Sequence, residues 1–170
     1  MKLIIQPFGN VPKEVLRNLA EDLGIFKAEC QIKKPADIPM DAYNSRRQQY
    51  RSEILLSLCS RLDGDKILGI TNVDLFAEPL NFVFGQAEIG GRASIISTAR
   101  LPHPNQSVFR ERIIKEAIHE LGHTFGLVHC DNSRCVMYFS NSLADTDYKR
   151  KEYCKKCIDV MSRDWIPIQK

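Results

Sequence analysis

The sequence predicts a mixed α/β (α+β) fold in which a twisted, mostly parallel sheet packs on helices. Three observations carry that prediction. Short apolar runs of strand character recur at residues 3–6, 66–71 and 93–98, with stretches of helical periodicity between them. Such alternation favours crossover connections and therefore parallel pairing. The composition, 44% hydrophobic and 26% charged, is that of an ordinary globular domain, and 170 residues suit one domain.

The elements follow in order. Residues 3–6 read as a buried first strand, and residues 12–23 as a helix opening at Pro12 and ending near Gly24. A strand is expected around residues 26–32. Residues 44–61 read as one long helix, with Ile54, Leu55, Leu58 and Leu62 on an apolar stripe. Residues 66–71, 81–84 and 93–98 read as strands, the last after the turn signal Gly90-Gly91. Ser107 is the expected N-cap of a helix carrying Ile114, Ala117, Ile118, Leu121 and Phe125 towards the core. A final helix is expected to start at Asp145 or Asp147 and to carry Cys154 and Cys157 near its middle.

Three of the four histidines fall between residues 119 and 129, in His-Glu-Leu-Gly-His-Thr-Phe-Gly-Leu-Val-His. On a helix of about 3.6 residues per turn, His119 and His123 lie one turn apart on one face and can reach one ion together. Glu120 lies about 100° further round, placed to touch a water on that ion rather than to ligate it. Gly126 lets the helix stop, because glycine accepts the left-handed conformation of a C-cap. The chain can then return His129 to the metal. Three nitrogen ligands leave a fourth position open to water, the pattern of a catalytic zinc.

Cys130 follows at once, and with Cys135, Cys154 and Cys157 it makes two close pairs separated by a loop. That spacing suits a structural four-cysteine zinc site. Two disulfides would also suit an even cysteine count, and Cys154-Lys155-Lys156-Cys157 alone could be a redox dithiol. The redox reading leaves the first pair without a role. Disulfides need an oxidising compartment, whereas the N-terminal residues carry no h-region of a secretory signal. A segment of about 40 residues after His129 also buries too little apolar surface to hold itself, and a structural zinc can supply about 10–16 kcal/mol.

The eleven-residue motif is the signature of the metzincin clan. Together with Cys135-Val136-Met137 and Cys154-Lys155-Lys156-Cys157, it closely resembles one family, the archaemetzincins, whose pattern is HExxHxxGxxHC, four residues, CxM, a spacer and CxxC. The spacer here is one residue shorter than the family's, a loop difference that moves no ligand. The resemblance implies a metzincin-like fold with an upper subdomain, residues 1–126, holding the active-site helix. A small zinc-stapled lower subdomain, residues 127–170, completes a single catalytic domain. It implies that His119, His123 and His129 bind a catalytic zinc, that Glu120 is the general base, and that Cys130, Cys135, Cys154 and Cys157 bind a second, structural zinc. Met137 would form the Met-turn beneath the catalytic metal. The activity implied is zinc-dependent hydrolysis of peptide bonds, with aminopeptidase activity associated with some members.

Metzincins bind extended peptide along an antiparallel edge strand, and residues 85–91, bounded by glycine, are the candidate here. Glu88 on that segment could hold a substrate amino group, and Tyr138 could line the cleft. Glu116 reads as a solvated helix carboxylate or a partner of the ligands, Cys30 and Cys59 as buried hydrophobes, and His103 as a loop residue. Lys149-Arg150-Lys151 with Lys155-Lys156 reads as a solvated face, since a net charge of +3 is too modest to argue for nucleic acid. The longest apolar run, residues 135–139, is far short of a membrane span. The expected partner is therefore a peptide or protein substrate, with no nucleic acid and no membrane, and the protein is expected to be a cytoplasmic monomer. Two readings compete: a zinc-containing peptide- or partner-binding protein with little proteolysis, and a zinc ribbon at residues 130–157 that binds nucleic acid.

Overall fold

Strand β1 (Lys2–Phe8) opens the chain and is buried over almost its whole length. Helix α1 (Lys13–Asp22) follows Pro12, whose fixed φ of −58° sets the entry, and turns Leu16 and Leu19 inward. A 3₁₀ turn at Leu23–Phe26 buries Leu23 and Phe26, so strand β2 (Glu29–Ile32) begins later than the sequence suggests. These positions belong to a computed structural model that describes residues 1–161; residues 162–170, the end of the expected lower subdomain, lie outside the described residues.

The long helix expected at residues 44–61 is only half realised. Tyr43–Asn44 and Gln49–Arg51 form strands β3 and β4, and helix α2 is confined to Ser52–Ser60. Pairing with distant residues outweighs local helical preference there. Tyr50 donates its backbone N–H to Asp74, and the Gln49 side chain donates to Asp74 and to the carbonyl of Asn81. The Tyr43 and Tyr50 rings pack with centroids 5.0 Å apart.

Strand β5 (Lys66–Thr71) is as expected, and β6 (Leu75–Phe76) joins the small sheet β3-β4-β6. Residues 81–84 are not a strand; Val83 makes one isolated bridge to Leu75, and strand β7 is Gly85–Ala87. Strand β8 (Ala93–Ser97) completes the main sheet, of order β2-β1-β5-β8-β7. Its first three pairings are parallel, and β7 runs antiparallel to β8 at the edge, with Gln86 opposite Ile95. The predicted class is therefore realised.

Side chains alternate across this sheet and both faces are covered. Leu3, Ile5, Leu68, Ile70 and Ile96 face α1 and helix α3 (Gln106–Thr124), with Ile114, Ala117, Ile118 and Leu121. Ile4, Ile67 and Ile95 face α2, meeting Leu55, Leu56 and Cys59. Each such leucine or isoleucine contributes about 1.5–3 kcal/mol on burial.

The N-cap of α3 is Asn105 rather than Ser107: its side chain accepts the Ser107 N–H at 2.9 Å. The single final helix is instead two. Helix α4 (Leu143–Tyr148) has Asp145 at its third position, accepting the Ser142 N–H at 3.1 Å. Helix α5 (Lys155–Val160) starts after Cys154, which is its N-cap and not a mid-helix residue. The break lets Cys154 and Cys157 turn towards Cys130 and Cys135.

Candidate active site

Helix α3 brings His119, Glu120 and His123 to the edge of the sheet, all three buried. The helix then ends in a Schellman motif: Gly126 N–H donates to His123 O at 2.9 Å and Leu127 N–H to Gly122 O at 3.1 Å, with Gly126 at φ +91°. The reversal returns His129, an exposed residue, to within 5.3 and 5.0 Å, ring to ring, of His119 and His123.

Both helical imidazoles are oriented by carbonyls. His119 Nδ1 lies 2.7 Å from Val136 O and His123 Nδ1 lies 2.7 Å from Leu127 O. Each Nδ1 must therefore carry the proton, and each Nε2 presents a lone pair. The two Nε2 atoms are 3.2 Å apart, and all three histidines offer ligand atoms within 4.8 Å of one another. A tetrahedral zinc with bonds of about 2.0–2.1 Å separates its nitrogens by about 3.3 Å, so the arrangement fits such an ion. Burial, and next the charge of Lys149, hold the His119 pKa well below its ordinary value, and His123 and His129 are lowered too, first of all by burial. Neutral imidazole is the form that ligates metal.

Glu120 is pushed well above the usual carboxylate range, first by burial and then by the charge of Glu116, with Lys149 opposing. Its side chain lies against Gly85, where a Cβ would come within 2.7 Å of Oε1; only glycine lets β7 approach this closely. The hairpin after β7 is pinned to the end of α3, for Gly90 N–H donates to His123 O at 2.9 Å and Lys66 Nζ bridges Gly91 O and Thr124 O. The result is a cleft of about 410 Å³ with residues 85–87 on one wall, residues 139–141 on the other and α3 as its floor.

Met137 is fully buried in the turn Cys135-Val136-Met137-Tyr138, which Tyr138 N–H closes on Cys135 O at 3.0 Å. Gly122 makes room for it: a Cβ there would lie 2.5 Å from Met137 Sδ and 2.9 Å from Tyr153 Cε1. The four cysteines converge nearby. Cys130 and Cys154 Sγ are 3.7 Å apart, as are Cys135 and Cys157 Sγ, and the four sulfurs lie within 4.8 Å of one another. Disulfide sulfurs sit about 2.05 Å apart, whereas a tetrahedral zinc with bonds of about 2.3 Å holds them about 3.8 Å apart. The cluster fits a metal ion.

Two sequence candidates do not join the cleft. Glu88 accepts hydrogen bonds from Ser60 Oγ and from the backbone N–H of Arg92 and Ala93, and is not among the cleft-lining residues. It fastens the β7–β8 hairpin. Tyr138 is half-buried in the turn while its neighbours Phe139, Ser140 and Asn141 form the wall. Conversely, the sequence hides a buried ion pair. Lys149, in the run read as solvated, is fully buried with Nζ 3.1 Å from Glu116 Oε1, and Glu116 is only 3% exposed. Thr146 Oγ1 donates to the same oxygen at 3.1 Å. Lys149 Nζ meets Glu116 as an ion pair, and neither it nor the buried Ser140 Oγ forms a hydrogen bond among the described residues. The sequence signal for it is that Glu116 lies one turn before His119 on the same helical face.

Comparison with known proteins gives a consistent result. Residues 11–163 match Peptidase family M54. The chain is 47% identical over 164 residues to an archaemetzincin of Methanocaldococcus jannaschii, covering 93% of this chain and 91% of that protein. With an archaemetzincin of Methanopyrus kandleri it is 41% identical over 170 residues, 96% of this chain and 97% of the relative. A crystal structure of archaemetzincin from Archaeoglobus fulgidus, complexed with malonate, superposes with a TM-score of 0.88 at 41% identity, covering 95% and 100% of the two chains. A zinc-dependent peptidase from Methanocorpusculum labreanum superposes at 0.79 with 29% identity, covering 93% and 98%.

Proposed function

Since the chain belongs to peptidase family M54, a family of zinc metallopeptidases, we propose that it hydrolyses peptide bonds in the metzincin manner, with Glu120 as general base and acid. The observation that carries this reading is the pair of Nδ1–carbonyl bonds, which leave two Nε2 atoms 3.2 Å apart beside a buried carboxylate. His119, His123 and His129 would hold a catalytic zinc, and Cys130, Cys135, Cys154 and Cys157 a structural one, two ions per chain. Bound at the histidines, zinc would supply Lewis acidity to the scissile carbonyl and acidify a water.

Glu120 takes the proton of the attacking water and returns it to the departing amine. A carboxylate with raised proton affinity suits that shuttle. Among the described residues strand β7 pairs only with β8, so its outer edge offers backbone groups to an extended peptide lying antiparallel along the cleft. Met137 supports the ligands from below. Amino-terminal trimming would need an anchor other than Glu88, which is committed to Ser60 and the hairpin. Residues 1–126 and 127–170 would act as upper and lower parts of one catalytic domain, as a monomer. Six cysteines that form no disulfide suit a reducing compartment, so we place the protein in the cytoplasm. No helix among the described residues is long and apolar enough to cross a membrane.

The test compares zinc-loaded wild type with Glu120→Ala on a diverse peptide mixture, with products and metal content read by mass spectrometry. Cleavage by wild type alone, with two zinc ions in both proteins, is the expected outcome. Equal cleavage by both would refute the role of Glu120. No cleavage by either, with zinc present in both, would favour a peptide-binding protein.

A further inference from the structure

The end of the cleft beyond Glu120 has an apolar wall that the hydrolytic chemistry does not use. Gln86 accepts a hydrogen bond from Ser52 Oγ and Glu88 one from Ser60 Oγ, so both side chains turn to helix α2. Side chains alternate along a strand, and the residues between these two face the other way. Gly85 lies against Glu120, and Ala87 and Ile89 line the cleft. The hairpin around Ile89 is held fast: Glu88 N–H donates to Ala93 O, Gly90 N–H to His123 O, and Lys66 Nζ bridges Gly91 O and Thr124 O. Ile89 is nonetheless 63% exposed. It is not a scattered surface residue, because Leu80 and Phe139, also exposed, line the same cleft.

The contact between Gly85 and Glu120 sets the register of a bound peptide. A chain antiparallel to β7 has its attacked carbonyl level with Gly85, beside the general base. Residues that follow the scissile bond then run towards Phe84 and Glu116, which lies one turn earlier on α3. Residues that precede it run towards Ala87 and Ile89, the end where Gly90 joins His123. The step from Gly85 to Ile89 is room for about three residues of extended peptide.

We propose that Ala87 and Ile89 form an apolar subsite for a branched aliphatic or aromatic side chain that precedes the scissile bond, with Ile89 determining specificity, and that the substrate is a polypeptide cut internally. The proposal rests on the peptidase reading for its ligand, an extended peptide. Alanine at position 87 leaves space above the strand, and Ile89 closes that space with hydrocarbon. Each CH₂ buried there is worth about fourfold in binding, so at this half-open site leucine exceeds asparagine by about tenfold. A free α-ammonium has no counter-charge to meet at this end. Among the described residues the carboxylates lining the cleft are Glu120 and Glu116, and Glu116 lies at the other end, paired with Lys149. An ammonium would lose hydration there without compensation, whereas a chain that continues past Ile89 brings no such charge.

Zinc-loaded wild type, Ile89→Asn and Ile89→Asp are each given short randomised peptides acetylated at the amino end, and the cuts are mapped by mass spectrometry. Wild type should cut internally and favour leucine, isoleucine or phenylalanine over asparagine by about tenfold at one fixed position before the cut. Ile89→Asn should bring that ratio below about threefold, and Ile89→Asp should favour lysine and arginine at the same position, a reversal that a merely structural role would not produce. A second readout needs no turnover: zinc-loaded Glu120→Ala, with and without Ile89→Asp, is equilibrated with the same peptides and those retained are sequenced. Apolar enrichment that Ile89→Asp converts to basic enrichment supports the subsite even if no protein cuts anything, an outcome that would sink only the peptidase reading. A preference that survives Ile89→Asp, or none in wild type by either readout, overturns the subsite. Loss of residues one at a time from unblocked peptides, with acetylated ones untouched, overturns internal cleavage.

Discussion

Replacing Lys149 by methionine should destabilise the protein severely, and also removing the charge of Glu116 should restore it. At 3.1 Å, and with an effective dielectric of about 20, the attraction between Lys149 and Glu116 is about 5 kcal/mol. It offsets the cost of burying two charges, since Lys149 is fully enclosed and Glu116 only 3% exposed. Lys149→Met leaves Glu116 as an uncompensated carboxylate one turn from Glu120, and breaking such a buried pair costs about 3–5 kcal/mol. For a domain of this size that is a fall in Tm of about 6–20 °C. Glu116→Gln/Lys149→Met replaces the pair with neutral groups of similar volume and keeps an acceptor for Thr146, so it should lie within about 1 kcal/mol of wild type. The assay is denaturant unfolding of wild type, both single variants and the double variant, all in excess zinc. A loss below about 1 kcal/mol for Lys149→Met would mean the pair behaves like a surface salt bridge. A double variant as unstable as Lys149→Met would assign the effect to packing rather than charge.

Two further outcomes are expected. Gly122→Ala places a methyl 2.5 Å from Met137 Sδ in a fully buried setting; overpacking of about 1–3 kcal/mol exceeds the gain of about 1 kcal/mol from better helix propensity, so stability and zinc affinity should both fall, and a stabilised variant with unchanged affinity would contradict the packing argument. Acid should release the histidine-bound metal only below pH 6.5, because all three imidazole pKa values are lowered from that ordinary value and protons compete poorly for them. In the metal-free protein the same depression has the sign of a penalty that begins as pH falls through 6.5, where the unfolded chain takes up protons before the folded one does. Metal content against pH, taken as the difference between wild type and His129→Ala, checks this; a midpoint at or above 6.5 would refute it.

What the sequence discloses depends on whether a role is enforced locally. Two ligands on one helical face must be four residues apart, a glycine must end the helix before His129 can return, and paired cysteines must lie close in sequence; all of this is visible as spacing. The buried strands at residues 66–71 and 93–97 are visible for the same reason, being apolar along their length. Residues 43–51 are not, because Gln49 and Tyr50 are held by Asp74 and Asn81, 24–32 positions away. Residues 81–84 have strand composition, yet only Val83 finds a bridge. Lys149 is the sharpest case. It sits in a basic run whose other members look the same, and only the packing of α4 against α3 sends it inward to Glu116. Glu88 errs in the opposite direction: a carboxylate just past strand β7 is drawn away by Ser60 at the end of α2.

The two candidate metal centres are joined by very little chain, and the linkage has a direction. His129 and Cys130 are consecutive, so one peptide unit belongs to both. Cys130 N–H donates to Met137 O at 3.0 Å, which closes the turn that begins at Cys135. Within that turn lies Val136, whose carbonyl orients His119 at 2.7 Å and whose N–H is fixed by Glu152 O at 3.1 Å. A cysteine ligand therefore flanks the residue that aims a histidine, and another adjoins a histidine directly. The histidine centre has no comparable hold on the cysteines, since His123 is oriented within its own helix end by Leu127 O. Loosening the four-cysteine cluster frees the Val136 carbonyl and the 129–130 peptide together, whereas emptying the histidine site leaves the turn still bonded at Cys130 and Tyr138. Among the described residues, the C-terminal segment thus has a clamp beyond its packing into the core where the four sulfurs converge, and a metal held there would stiffen the residues that aim the histidines.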